Sequence, residues 1–144
     1  MDEMDEAPMT IRVVIKEPNK EPEVREIVNS YRNISDICGG LIDFTYLPTD
    51  ESVDVILNDS SLMNGMEPNL VVPEAEGVWA GPLIFASNNP ETGETVSLSD
   101  EQIKKVLKYI ERNQVFSMSL RGAYIYSKVL GPLQKSQDAI EMEE

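Results

Sequence analysis

The side chains that could carry out chemistry in this sequence are almost all carboxylates. The 144 residues include 26 Asp and Glu but no His, and Cys38 is the single cysteine. Without histidine, the Ser-His-Asp and Cys-His arrangements of many hydrolases are impossible. One thiol cannot build a zinc site either, because such sites combine several Cys or His ligands.

Two sets of side chains with oxygen ligands remain as candidates for metal binding or acid–base chemistry. Asp54, Asn58 and Asp59 offer the oxygen ligands that calcium and magnesium prefer, but they lack the spacing of an EF-hand loop. Asp43 and Asp54 could form a glycosidase-like pair if two strands brought them together. Polar strand ends and solvated strand faces explain these residues better. We therefore expect a protein that is not an enzyme and has neither a cofactor nor a metal site.

The net charge of the chain limits its partners. Against the 26 acidic residues stand 12 Lys and Arg, which gives a formal net charge of −14. Such a charge disfavours direct contact with nucleic acid or with an anionic membrane, and it favours a protein that has a basic surface. Acidity that serves only solubility would explain the same composition. Eight of the acidic residues lie in the terminal segments 1–9 and 131–144, where we expect them to add charge without shaping a folded surface.

The compartment follows from the cysteine count and the first residues. A single Cys38 excludes an internal disulfide, which suits a reducing environment. The acidic start of the chain is the opposite of a secretory signal peptide. We expect the cytoplasm, which would be that of the host cell if the protein is encoded by a phage.

β-branched runs between turn residues indicate the strands that would position these side chains. Strands are predicted at residues 11–16, 24–28, 41–47, 53–58, 70–72 and 83–86. The first four form two hairpins around a short helix. Residues 115–130 fit a hairpin slightly better than a helix, and both alternatives remain open.

Two helices complete the predicted scaffold. A short helix at about 30–38 begins at Asn29 or Ser30 and ends at Gly39-Gly40. A longer helix at about 99–112 begins with the capping box of Ser99 and Gln102 and carries an apolar stripe. We expect an α+β fold, a mainly antiparallel sheet with both helices packed on it. It would form one domain, residues 10–130, between a flexible acidic arm (1–9) and a polar acidic tail (131–144).

The loop that follows residue 58 is the best candidate for a binding site. Methionine adapts its shape to a partner, and Asn and Gly expose backbone polar groups. Tryptophan is common at the centre of interfaces. The candidate binding residues are Met63, Asn64, Met66, Glu67, Asn69 and Trp79. A packed connector between strands, with the tryptophan anchored in the core, is the alternative.

Four segments of the chain occur in an order that resembles a known family. They are residues 13–27 with the Glu17-Pro18 turn, residues 39–43, residues 55–69, and residues 81–103. Over about residues 11–110 the chain resembles the DUF3846-like domains of unknown function found in bacteria, phages and mobile elements. Glu67 departs from the family pattern, which is more often apolar or Pro there, and the extension beyond residue 113 is not part of the pattern. The resemblance implies a phage or mobile-element setting and assigns no catalytic residue.

Two functions from different classes are consistent with these observations. The first is a non-enzymatic binding or inhibitor protein, of phage or mobile-element origin, that acts on a host protein. Acidic contacts that imitate DNA and oppose host defence are one form of this hypothesis. The second is a homo-oligomer that binds or sequesters a nucleotide-like small molecule, which would need a pocket where basic side chains gather.

Overall fold

The β-branched segments pair into an antiparallel sheet in the computed structural model, which describes residues 9–115. The strands are β1 Thr10–Lys16, β2 Glu23–Val28, β3 Ile42–Leu47, β4 Asp50–Asn58, β5 Pro68–Val72, β6 Gly77–Ala80, β7 Leu83–Asn88 and β8 Thr95–Val96. The main sheet has the order β2-β1-β7-β4-β3, and β8 also pairs with β7. Strands β5 and β6 form a separate hairpin, joined by a 3-10 turn at Pro73–Ala75.

Both predicted helices are present, and their ends are those that the sequence indicated. Helix α1, Tyr31–Cys38, begins where the Ser30 side chain accepts a hydrogen bond from the Asn33 amide. It ends at Gly39, whose φ of 84° lies in the left-handed region that glycine enters without steric cost. Helix α2, Asp100–Asn113, has the complete capping box of Ser99 and Gln102.

The sheet separates two apolar layers, because alternate residues of each strand point to opposite faces. One layer packs the sheet against α2 and the β5–β6 hairpin, with Phe85, Leu70 and Ile110 among its buried residues. The other layer packs the sheet against α1, with Ile34 and Cys38 at its centre. The α+β fold predicted from the sequence is confirmed.

Some elements differ from the sequence-based expectation. Strand β4 begins at Asp50, three residues before the strand predicted at 53–58, because the register with β3 shifts after Tyr46 and lets Asp50 pair with Leu47. Strand β6, which contains Trp79, and the two-residue β8 were not predicted, since such short strands carry almost no alternation. The predicted hairpin or helix at 115–130 extends beyond the described residues, as do the tail and nearly all of the arm.

Candidate functional site

The loop after β4 is a compact turn that one buried asparagine holds in place. The side chain of Asn58 is only 5% exposed. Its Nδ2 donates to the Cys38 carbonyl at the end of α1 (3.2 Å), and its Oδ1 accepts from the Ser60 amide (2.8 Å). The Asp59 amide also donates to the Leu41 carbonyl at 2.8 Å. The turn is therefore attached to both α1 and the start of β3.

This attachment presents large apolar side chains to solvent. Met63 is 89% exposed, Leu62 is 63% exposed, and Leu41, across from the turn, is 69% exposed. We call these three residues the apolar turn surface. Single exposed apolar side chains are common, whereas contiguous apolar patches mark interaction sites, and these three residues lie on two adjoining segments.

A shallow pocket of about 220 Å³ lies beside the apolar turn surface. Its walls include Met63, Leu57 of β4 and Val78 of β6, and the carboxylates of Asp43 and Asp59 also line it. The site thus combines apolar and acidic lining residues, which come from β3, β4, β6 and the turn.

Met66 lies on the inner side of the loop. Its Sδ is 2.6 Å from the point that a Cβ on Gly81 would occupy, and its Cε is 3.2 Å from the corresponding point on Gly39. Any side chain at Gly81 would therefore displace the methionine. Met66 packs the loop against the end of α1 and the approach to β7, which makes it an anchor of the site.

Asn69 is fully buried and forms the centre of a second polar network. Its Nδ2 donates to the carbonyls of Lys16 and Gly81, both at 2.8 Å, and its Oδ1 accepts from Lys16 Nζ at 3.1 Å. The same ammonium donates to the Glu17 carbonyl at 2.8 Å. Burial lowers the pKa of Lys16 to about 8, and the nearby carboxylates of Glu21 and Glu17 oppose that shift.

The other candidate residues occupy different positions. Asn64 Nδ2 is 3.4 Å from Asn58 Oδ1, so Asn64 braces the turn weakly. The Glu67 carbonyl accepts from the Gly81 amide at 2.8 Å. Trp79 packs beside Tyr109, with ring centroids 6.5 Å apart. Of the six candidates, Met63 lines the pocket, Met66 and Asn69 hold the loop from inside, and Trp79 belongs to the α2 side of the core.

The candidate carboxylates are not arranged for the chemistry that was considered. Asp43 lies opposite Leu57 and Asp54 lies opposite Tyr46 in the β3–β4 ladder. Positions 43 and 46 point to opposite faces of β3, so Asp43 and Asp54 are on opposite sides of the sheet and form no pair. Within residues 9–115, no three His, Cys, Asp or Glu side chains are grouped so that they could hold a metal ion.

Cys38 has the environment of a structural thiol. It is fully buried, and its Sγ donates to the Ile56 carbonyl at 3.8 Å. Burial raises the pKa of the thiol to about 11, which keeps it protonated and unreactive at neutral pH.

Sequence reasoning missed Leu41, Leu62 and the acidic groups Asp43 and Asp59 as parts of one surface. Leu41 opens an apolar run that indicates a core strand, and only the position of β3 at the edge of the sheet exposes it. The turn-forming residues 58–61 were the available signal for Leu62, because a tight turn exposes the side chains at its tip.

The fold and the site define a small α+β domain that presents a fixed turn at one edge of its sheet. Residues 11–112, well over half of the chain, match the family model of the Domain of unknown function (DUF3846). The chain therefore belongs to the DUF3846 family, as the resemblance predicted. No curated protein and no solved structure matches it. No helix in the described part of the chain is long and apolar enough to cross a membrane.

Proposed function

We propose that this chain is a non-enzymatic binding protein of phage or mobile-element origin that inhibits a host protein. The observation that carries the proposal is the apolar turn surface, which Asn58 and Met66 hold in a fixed conformation. A preformed surface loses little conformational entropy when a partner binds. Opposition to a host defence protein in the host cytoplasm is the biological role that fits this origin.

Charge complementarity indicates what kind of host protein would bind. Asp43 and Asp59 lie beside the apolar centre, and the whole chain carries a net charge of −14. A basic protein with an apolar side chain that fits the pocket matches both features, because opposite charges speed association and apolar contacts at the centre supply affinity.

The acidic contacts that we propose are local to the apolar turn surface, and a DNA-like row of carboxylates is the alternative form of this proposal. Several carboxylates of the described residues already face a basic side chain, as Asp100 faces Arg12 at 2.7 Å and Asp50 faces Lys105 at 3.2 Å. In these pairs a positive side chain lies beside a negative one, whereas DNA mimicry needs uninterrupted negative charge.

The test is a comparison of matched variants in partner capture from host lysate. The double variant Leu62→Ser/Met63→Ser removes the apolar side chains at the tip of the turn. Met9→Ser removes another exposed methionine, which lies just before β1 and is 66% exposed. We expect a basic protein to be recovered by the wild type and by Met9→Ser and to be lost with the double variant, and the purified pair should bind at least about tenfold more weakly with that variant.

Two results would contradict this proposal. One is equal capture by the double variant and by Met9→Ser, which would place the contact elsewhere on the chain. The other is that the wild type recovers no protein at either low or high salt. Unchanged thermal unfolding of the variants would show that lost capture reflects a lost contact, since exposed side chains contribute little to stability.

A further inference from the structure

Helix α2 carries a cleft whose charge is opposite to that of the rest of the protein. The cleft has a volume of about 180 Å³ and is lined by Lys105, Lys108, Tyr109, Arg112 and Thr49. The three basic residues recur at helical spacing, so one side of α2 presents them together. In a chain with more than twice as many acidic as basic residues, this concentration of positive charge needs an explanation.

The basic groups of the cleft are only partly neutralised. Lys105 Nζ is 3.2 Å from Asp50 Oδ2. A hydrogen bond from Ser52 lowers the pKa of Asp50, and Lys105 lowers it further, so this carboxylate stays ionised. Lys108 and Arg112 make no ion pair with any of the described residues. Two side chains with available donors therefore face the same cavity.

The wall of the cleft is fixed in place. Tyr109 is buried, and its hydroxyl donates to Glu74 Oε1 at 2.7 Å. Burial and the hydrogen bond to Glu74 raise the pKa of Tyr109, so the ring stays neutral. Thr49, which precedes β4, also lines the cleft. Asp50 contacts Lys105 and Glu74 contacts Tyr109, so the three basic groups that line the cleft outnumber the carboxylates bonded to its lining residues.

We propose that this cleft binds the phosphate groups of a small nucleotide-like molecule. Arginine and lysine form short, charge-assisted hydrogen bonds with phosphate oxygens, and arginine does so through two parallel donors. Complementation of the helix dipole would account for Arg112 in the last turn of α2. It does not account for Lys105, which lies two turns earlier, or for the cavity. This site is separate from the apolar turn surface, and its function does not depend on the proposed protein partner.

The experiment titrates the full chain with inorganic pyrophosphate, ADP and adenosine at physiological ionic strength. We expect pyrophosphate and ADP to cause saturable changes in the NMR signals of Thr49 and of residues 105–112. Tighter binding of ADP than of pyrophosphate would identify a nucleotide, whereas equal affinity would identify the phosphate groups alone as the recognised chemistry. Adenosine should bind at least about tenfold more weakly than ADP.

A matched pair of variants separates a site from general charge attraction. Lys108→Gln/Arg112→Gln should weaken pyrophosphate binding at least about tenfold. Lys104→Gln, which removes an exposed lysine of α2 outside the cleft, should leave it within about twofold. The absence of saturable changes with both phosphate compounds would overturn the proposal. An equal loss with Lys104→Gln would also overturn it, because that result would indicate non-specific attraction.

Discussion

Two buried asparagines lie at the two ends of the candidate binding loop, and their side chains stabilise different parts of the molecule. Asn58 is the last residue of β4, and its side chain accepts a hydrogen bond from the backbone of the turn that carries Met63. Asn69 lies in β5 and bonds inward, to Lys16 and to the Gly81 carbonyl. The first asparagine determines how the turn is presented to solvent. The second joins β1, β5 and the approach to β7 in the interior.

The difference teaches that the loop contains both a surface and a scaffold. The partners of the Asn58 side chain are neutral backbone and amide groups. The partners of Asn69 include an ammonium group that is buried with it. We therefore expect substitutions at Asn58 to act locally, and substitutions at Asn69 to act on the whole fold and to depend on pH.

The largest effect should come from Asn69→Leu, which keeps much of the volume but removes all three hydrogen bonds. It leaves two buried carbonyls and the Lys16 ammonium without these partners. Each orphaned buried group costs about 1–3 kcal/mol, and a charged one costs more. We expect the free energy of unfolding to fall by about 3–5 kcal/mol in urea denaturation.

Asn113→Leu is the matched control for that variant. The Asn113 side chain donates to a single carbonyl, that of Tyr109, at the end of α2. Its loss should cost about 1 kcal/mol or less. If Asn69→Leu cost no more than this control, the buried network would not contribute to the stability of the fold, and the contrast between the two asparagines would disappear.

The elements were more predictable from the sequence than the roles of residues 58–69. The capping box of Ser99 and Gln102 and the end of α1 at Gly39 depend on neighbouring residues, so local patterns indicate them. The network of Asn69 joins residues 53 apart in the sequence, and Asn58 reaches a carbonyl 20 residues away. No local sequence pattern indicates which strand or helix the side chain of each asparagine contacts. The predicted loop therefore contained both the exposed Met63 and the buried Asn69, and only the fold distinguishes them.

An intermediate effect is expected for Asn58→Ala. The substitution removes the side-chain bonds to the Cys38 carbonyl and the Ser60 amide, which should cost about 1–2 kcal/mol of unfolding free energy. Amide hydrogen exchange of residues 60–66 should become at least about tenfold faster, while β1 and β7 keep their protection, because the turn opens without the sheet.

Asn64→Ala tests whether that effect belongs to Asn58 in particular. Among the described residues, the Asn64 side chain makes only the long 3.4 Å contact with Asn58 Oδ1. Its removal should change the free energy of unfolding by no more than about 0.5 kcal/mol. Faster exchange spread evenly over the sheet in Asn58→Ala would mean that Asn58 supports the whole fold, as Asn69 does.

A third effect is the pH dependence that Lys16 gives to the Asn69 network. The pKa of Lys16 is about 8 in the folded protein, and an unperturbed lysine has a pKa of about 10.4. Between these values the unfolded chain binds more protons than the folded one, so the Lys16 contribution to stability rises with pH. Below pH 8 both states are charged, and the folded state carries the full cost of burying the ammonium.

Comparison of the wild type with Lys16→Met isolates this contribution. The raised pKa of Cys38 makes stability fall as the pH rises through the same range, but both proteins share that effect. From pH 7.5 to 10.5 the wild type should gain about 1–3 kcal/mol relative to Lys16→Met in urea denaturation. For Lys20→Met, which removes an exposed lysine, the difference from the wild type should stay flat. A flat difference for Lys16→Met as well would show that the Lys16 ammonium is hydrated in the folded state, and neither asparagine network would then contain a dehydrated charge.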